Sequence, residues 1–328
     1  MEAKEKPDRT IKRQINAPMS AFAFLWLSVA NALLFLAWTF LPETFFPFAK
    51  NSLVGFSLIS LIRIFFCLFL PFLFFTFFGG LSTASYFGQN PGISWTILSF
   101  LTGVPCALFV VSTHNILFHF ILLRGFKIPL PSYYLSLNSL TDTRSKILFL
   151  FAGVILPILA SEVFFRGILQ PIFPQRKNGI INIFLTACVF SLFLQSPIDF
   201  LPALILGILL GFVRKYAGHV LCSMITFLVT AGLIYLLSPL LPFLPYTTSR
   251  GDIDAGNTVF TNSCIAFVVG ILFLCILLPS CRRNAAKEQK IVQLRGNTPA
   301  TVIGRIPIWP VLFGFIFFIA VWVFSVEL

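Results

Sequence analysis

The sequence predicts an all-α, polytopic membrane protein of about eight or nine spans, and three observations predict it. Hydrophobic residues make up 58% of the chain and charged residues 10%, against roughly 25% charged in an average soluble domain. The mean hydropathy is +0.94, which belongs to a chain that lives mostly in lipid. The apolar residues also come in long runs, and 328 residues can hold that many runs of roughly 20 with short connections. One helical membrane domain is expected, with little room for a soluble one.

The runs fall at 21–41, 54–78, 93–123, 147–171, 179–195, 200–213, 219–237, 257–279 and 308–326. The first follows a tail of mixed charge, and at about 20 residues it exceeds a signal-peptide core of roughly 7 to 15. It is expected to stay as a span. The second contains IRIFFCLFLPFLFFTFF, which reads as lipid-facing filler, interrupted by Arg63 with no partner evident in sequence. All 42 Phe of the chain locate lipid in this way rather than chemistry. Between the third and fourth runs, RGFKIPLPSYYLSLNSLTDTRSK mixes aromatic and basic residues as an interfacial segment does.

The sixth run is short and is expected to tilt or to enter only part way. YTTSRGDIDAGN, 246–257, reads as a polar loop, and 281–305 as a basic connector before the last span. The expected organisation is a tail at 1–20, N-terminal helices with the interfacial segment at 21–146, a core at 147–237, and C-terminal helices at 238–328.

The net charge of +12 would point to nucleic acid in a soluble protein. Here Lys and Arg collect in loops on one face, 15 on the N-terminal side against six on the other, which predicts a cytoplasmic N-terminus. Nucleic acid is not an expected partner; the lipid bilayer is. Short loops and the lack of a sorting signal lean towards a bacterial inner (plasma) membrane. The seven cysteines lie in or beside apolar runs without paired spacing, so neither a disulfide framework nor a cysteine zinc site is expected.

Chemistry concentrates in ILPILASEVFFRGILQPIF, 155–173, where Glu162 and Arg166 interrupt an apolar run. Ionisable groups at bilayer depth are costly and by default mark a site. Four residues apart on a helix, the two share a face, with Glu N-terminal to Arg in the better order. An internal ion pair and half of an acid/base or metal site both explain that pattern. Glu162 is the only carboxylate inside a predicted span. Gly167 follows the pair, and a later run carries Gly207 and Gly211 as a Gly-x-x-x-Gly pair that permits close helix approach.

In order and spacing, SEVFFRG, VFSLFLQSPIDFLPALILGILLGFVRKYAGH and VLCSMITFLVTA resemble the core of the CPBP intramembrane proteases, which include the type II CAAX prenyl endopeptidases. The resemblance covers about 150–237 and implies a four-helix core and a metalloendopeptidase cleaving in or near the membrane. It implies a Glu-Glu-x-x-x-Arg-Gly helix, a Phe-x-x-x-His helix and a His-x-x-x-Asn helix. Only part of that pattern stands here. Glu162 and Arg166 match; the water-activating Glu falls on Ser161, the first His on Gln195, the second His on Phe227 and the Asn on Ala231.

A catalytic zinc needs about three His, Glu, Asp or Cys ligands and an open position for water. Gln is a poor zinc ligand and no base, and Phe and Ala are neither. No cofactor is therefore expected, with zinc only if peptidase activity is retained. Other residues offer little. His114 and His119, five apart, do not share a helix face, and His219 is expected at the interface. A site rebuilt from Glu162, Cys188 and Cys222 is the one conceivable replacement.

The expected function is a catalytically inactive or strongly diverged relative of these endopeptidases that binds a membrane-associated or lipidated peptide or protein. An active, diverged endopeptidase is the alternative. A transporter would show repeated halves, and none is seen.

Overall fold

The computed structural model describes residues 17–41, 53–77, 87–88, 91–123, 142–170, 180–194, 199–237, 241, 253–294 and 307–327. Among them the chain is helical throughout, with nine helices and no strand beyond one isolated bridge. In order they are α1 (Ala17–Phe40), α2 (53–77), α3 (Ile93–Leu123), α4 (Thr143–Leu169), α5 (Ile180–Phe193), α6 (Phe200–Ala217), α7 (Val220–Leu237), α8 (Ile253–Leu294) and α9 (Ile308–Glu327). Seven are long and apolar enough to cross a bilayer; α5 and the apolar part of α9 are shorter. The protein is an all-α integral membrane protein, as its composition requires.

Consecutive helices run antiparallel. Trp26 Nε1 donates to the Phe66 carbonyl and Asn31 meets Arg63, which fixes α2 against α1. Thr226 and Thr230 of α7 donate to the carbonyls of Ser99 and Gly103, so α7 lies parallel to α3. Trp95 packs on Ala217 and Ala285, which brings the start of α3, the end of α6 and the inner part of α8 to one face, that of the N-terminus.

The core forms where α1, α4 and α5 converge, around Phe24, Phe164, Phe165 and Phe190. These rings are 0–2% exposed, whereas Phe66, Phe69 and Phe77 of α2 are 43–75% exposed, so the Phe-rich run does face lipid over part of its length. Arg63 is not left to snorkel. Its Nε donates to Asn31 Oδ1 at 3.0 Å, its Nη2 to the Phe193 carbonyl, and its guanidinium lies 4.0 Å over the Phe193 ring.

Three departures from the sequence reading stand out. α4 begins at Thr143, where the Asp142 carboxylate accepts the Ser145 N–H at 2.9 Å, so Arg144 and Lys146 of the expected interfacial segment form the first helical turn instead. That hydrogen bond holds the Asp142 carboxyl below its usual range. Residues 124–141, the rest of that segment, lie outside the described residues. α6 runs past 213 to Ala217, and α4 does not close at Gly167 but continues through a widened turn, 163–169, whose bonds reach five residues back.

Close approach is the task of Gly207 and Gly211. A Cβ on Gly207 would stand 2.9 Å from the Ala187 Cβ and 3.0 Å from its Cα; on Gly211 it would meet the movable end of Ile183 at 2.6 Å. α5 therefore lies directly on the α6 backbone. Gly207→Ala is expected to lower stability by about 1–3 kcal/mol, because backbone must move, and Gly211→Ala by less, because a side chain can turn. Thermal unfolding in detergent reads the difference, and the reverse order would count against this packing.

Candidate functional site

The wide turn of α4 presents three polar side chains, Glu162, Arg166 and Gln170, to α6 and α7 at four-residue steps. Arg166 Nε stands 3.7 Å from Glu162 Oε1, with both side chains fully buried. The expected ion pair is formed. At that separation it is a Coulombic contact rather than a good hydrogen bond. Arg166 also donates through Nη2 to the Gly207 carbonyl at 3.1 Å and lies 5.1 Å from the Phe190 ring centroid. One step on, Gln170 Nε2 donates to the Gly211 carbonyl at 3.0 Å. The two glycines thus serve α5 by lacking a side chain and α4 by offering a carbonyl.

Several atoms here have no hydrogen-bond partner: both Glu162 oxygens, Arg166 Nε and Nη1, and Gln170 Oε1. Such atoms are costly in low dielectric, and a cluster of them marks a polar pocket. Across it, the Ser223 hydroxyl of α7 and the Arg214 guanidinium of α6 act on the Glu162 carboxylate. Ser223 spends its proton on the Val220 carbonyl at 2.9 Å, so it reaches Glu162 only after its hydroxyl turns.

The mouth of this region on the N-terminal face is closed by backbone. Gly218 ends α6 at φ +70° with its N–H on the Arg214 carbonyl, and Gly88 at φ +87° bridges His219. A Cβ on Gly88 would fall 1.9 Å from the Gly218 oxygen and 3.1 Å from Arg214 Nη1, so glycine is required there. His219 is buried rather than interfacial; Phe87 stacks on its ring at 6.3 Å and its Nδ1 accepts the Leu221 N–H at 3.0 Å. Burial first, then the Arg214 charge, pushes the His219 imidazole below its ordinary pKa.

The replaced positions behave differently. Ser161 is buried, and its hydroxyl donates to the Ile158 carbonyl at 3.0 Å. Phe227 meets Phe190 edge to face at 6.0 Å, and Ala231 is half-buried further along α7. Gln195 lies outside the described residues. Phe190 touches both Arg166 and Phe227, so the retained and replaced positions share one neighbourhood. Cys222 is fully buried in the Trp95 cluster and Cys188 is half-buried on α5. Among the described residues no three His, Cys, Asp or Glu side chains are grouped to hold a metal, so Glu162, Cys188 and Cys222 do not assemble a replacement site.

Sequence reading missed Gln170, Arg214 and Ser223. Gln170 sits eight residues from Glu162, two helical steps that its spacing alone could have exposed. It also missed a second polar group: His114 Nδ1 lies 3.0 Å from Asp199 Oδ1, and Asn115 donates to Ser263 at 3.0 Å. His114 and His119 are packed residues as expected, on separate partners, with His119 stacked 4.3 Å from Phe260.

Residues 143–233 match the family model described as type II CAAX prenyl endopeptidase Rce1-like, and this segment belongs to the CPBP/CAAX protease family. No curated protein and no solved structure matches the chain.

Two predictions follow from the geometry. Arg166→Met alone leaves a carboxylate buried without its charge partner and is expected to lose about 3–5 kcal/mol, while the double variant Glu162→Leu, Arg166→Met loses clearly less. Unfolding of the three proteins in detergent gives the comparison; equal losses would refute the pairing. His219 binds its proton more weakly folded than unfolded, so its contribution is full above the ordinary histidine range and declines as pH falls through it. His219→Asn, which keeps an acceptor for Leu221, should flatten that acid-side decline in melting temperature.

Proposed function

We propose that this CAAX-protease-like membrane protein does not carry out the family's metal-dependent hydrolysis. Its retained Glu162–Arg166 pair instead holds α4 against α6 and α7 around a pocket that binds a membrane-associated or lipidated peptide or protein segment. The observation that carries the reading is the donor set. Where the resemblance expects a base and a ligand, Ser161 is satisfied by its own helix and Phe227 is locked in an aromatic contact. A zinc ion finds no fitting shell in hydroxyl, phenyl and methyl groups beside a single carboxylate. No hydrolytic step is therefore assigned to Glu162. Its role is positional, and Arg166 acts through it and through the Gly207 carbonyl.

The pocket's supply of both orphaned donors and acceptors supports a polar guest such as a peptide group. The charge bias of the loops supports a cytoplasmic N-terminus, which puts the Gly88–His219 bridge and the adjacent pocket on the cytoplasmic side. The short loops favour a bacterial inner membrane.

Elemental mass spectrometry of the detergent-purified protein, beside Glu162→Ala, tests the reading. No stoichiometric zinc is expected in either. About one zinc per chain that disappears in Glu162→Ala would restore the active, diverged endopeptidase.

A further inference from the structure

Arg63, Asn31, His114 and Ser263 belong to four helices and share one depth. His114 is nine residues from the end of α3, Asn31 nine from the end of α1, Arg63 ten from the start of α2 and Ser263 ten from the start of α8. At 1.5 Å per residue each lies about 13–15 Å along its helix from the face opposite the N-terminus. The ends of α5 and α6 meet this layer. Phe193, the last residue of α5, receives Arg63, and Asp199, just before α6, pairs with His114.

α5 has 14 residues. That is about 21 Å of helix against roughly 30 Å of hydrocarbon, too short to cross. Its partner α6 matches α3 almost residue for residue: Ala217 packs on Trp95 at one end, and Asp199 meets His114 at the other. Beyond His114, α3 continues for two and a half further turns that the hairpin does not accompany.

Both ends at the tip carry charges of the sign their helix dipoles favour: Arg63 at the carboxyl end of α5, Asp199 at the amino end of α6. The Asp199 side chain keeps 16% of its surface exposed while His114 keeps none. Non-helical backbone at membrane depth is tolerated where it is buried in protein or lines water, and an exposed carboxylate facing lipid would be expensive. Water is the environment that satisfies both conditions.

We infer that α5 and α6 form a re-entrant hairpin, entering from the N-terminal face and turning back inside the bilayer. The depression above its tip opens to water on the far face, with the Asp199–His114 pair at its floor. The site takes water and small hydrophilic solutes, and it stands whether or not hydrolysis persists at the Glu162 pocket. α6 joins the two: about 12 Å along it separate Asp199 from Gly207, so the lipid-like barrier between the two polar regions is far thinner than the bilayer.

Cysteine labelling in sealed, oriented vesicles tests this. Asp199→Cys and Leu194→Cys are exposed separately to a small charged, membrane-impermeant thiol reagent and to a polymer-linked maleimide too large for a narrow depression, over the background of the seven native cysteines. Labelling by the small reagent from the far face only, and none by the large one, is the expected result. Labelling by both reagents from that face would mean an ordinary exposed loop and a fully crossing hairpin. Labelling by neither, or only from the N-terminal face, would mean no far-side water path. Either of these overturns the inference. Leu194→Cys leaves the His114 contact intact, so the test survives if Asp199→Cys does not fold.

Discussion

In hydrocarbon an arginine must find its acceptors inside the protein. Two arginines of this chain lie deep among its helices, and both find them on the backbone of one hairpin: Arg63 on the Phe193 carbonyl and Arg166 on the Gly207 carbonyl. Gln170 adds a third donor on Gly211. α5 and α6 are thus held from α2 on one side and from α4 on the other. Because a helix carbonyl already accepts a bond from its own helix, only its second lone pair is free for such use. The side chain that would normally cover it must be small, and at 207 and 211 it is absent.

That double use of the glycines explains why the core tolerates so little variation in spacing. Gly207 meets Ala187 on one side and Arg166 on the other, so shifting α6 by even half a turn would lose both contacts together. The widened turn at 163–169 serves the same register, since it sets where Arg166 and Gln170 fall against two carbonyls one turn apart on α6. Hydrophobic burial then completes the packing but does not choose its register, because lipid is as apolar as the side chains it replaces.

How much of this was legible in the sequence follows from where each signal resides. The nine runs, the i,i+4 spacing of Glu162 and Arg166, and the Gly-x-x-x-Gly pair are local patterns, and each appears in the fold in the role the spacing indicated. Arg63 with Phe193, and His114 with Asp199, join residues 130 and 85 apart, which no periodicity records. Asp199 was also disguised by its position between two predicted spans, where a carboxylate reads as an ordinary turn residue. The short length of α5 was the available clue, since a helix that cannot cross must end inside the membrane, and its end then needs partners. The 163–169 turn left no trace in residue types at all.

The difference between retained and replaced positions has a physical side that does not depend on ancestry. Replacing Glu162 or Arg166 singly strands the other charge at zero exposure, a loss on the scale of the whole stability of many proteins. Ser161, Phe227 and Ala231 carry no such debt: a hydroxyl bonded to its own helix, a ring on Phe190 and a methyl group all sit comfortably in a dry interior. A water-activating carboxylate or a pair of imidazoles at those places would each need hydration or a metal to offset burial. Substitution of the chemical half of such a site therefore relieves the fold, whereas substitution of the Glu162–Arg166 half damages it. Persistence of that pair is what helix packing alone demands, and by itself it is no sign of catalysis.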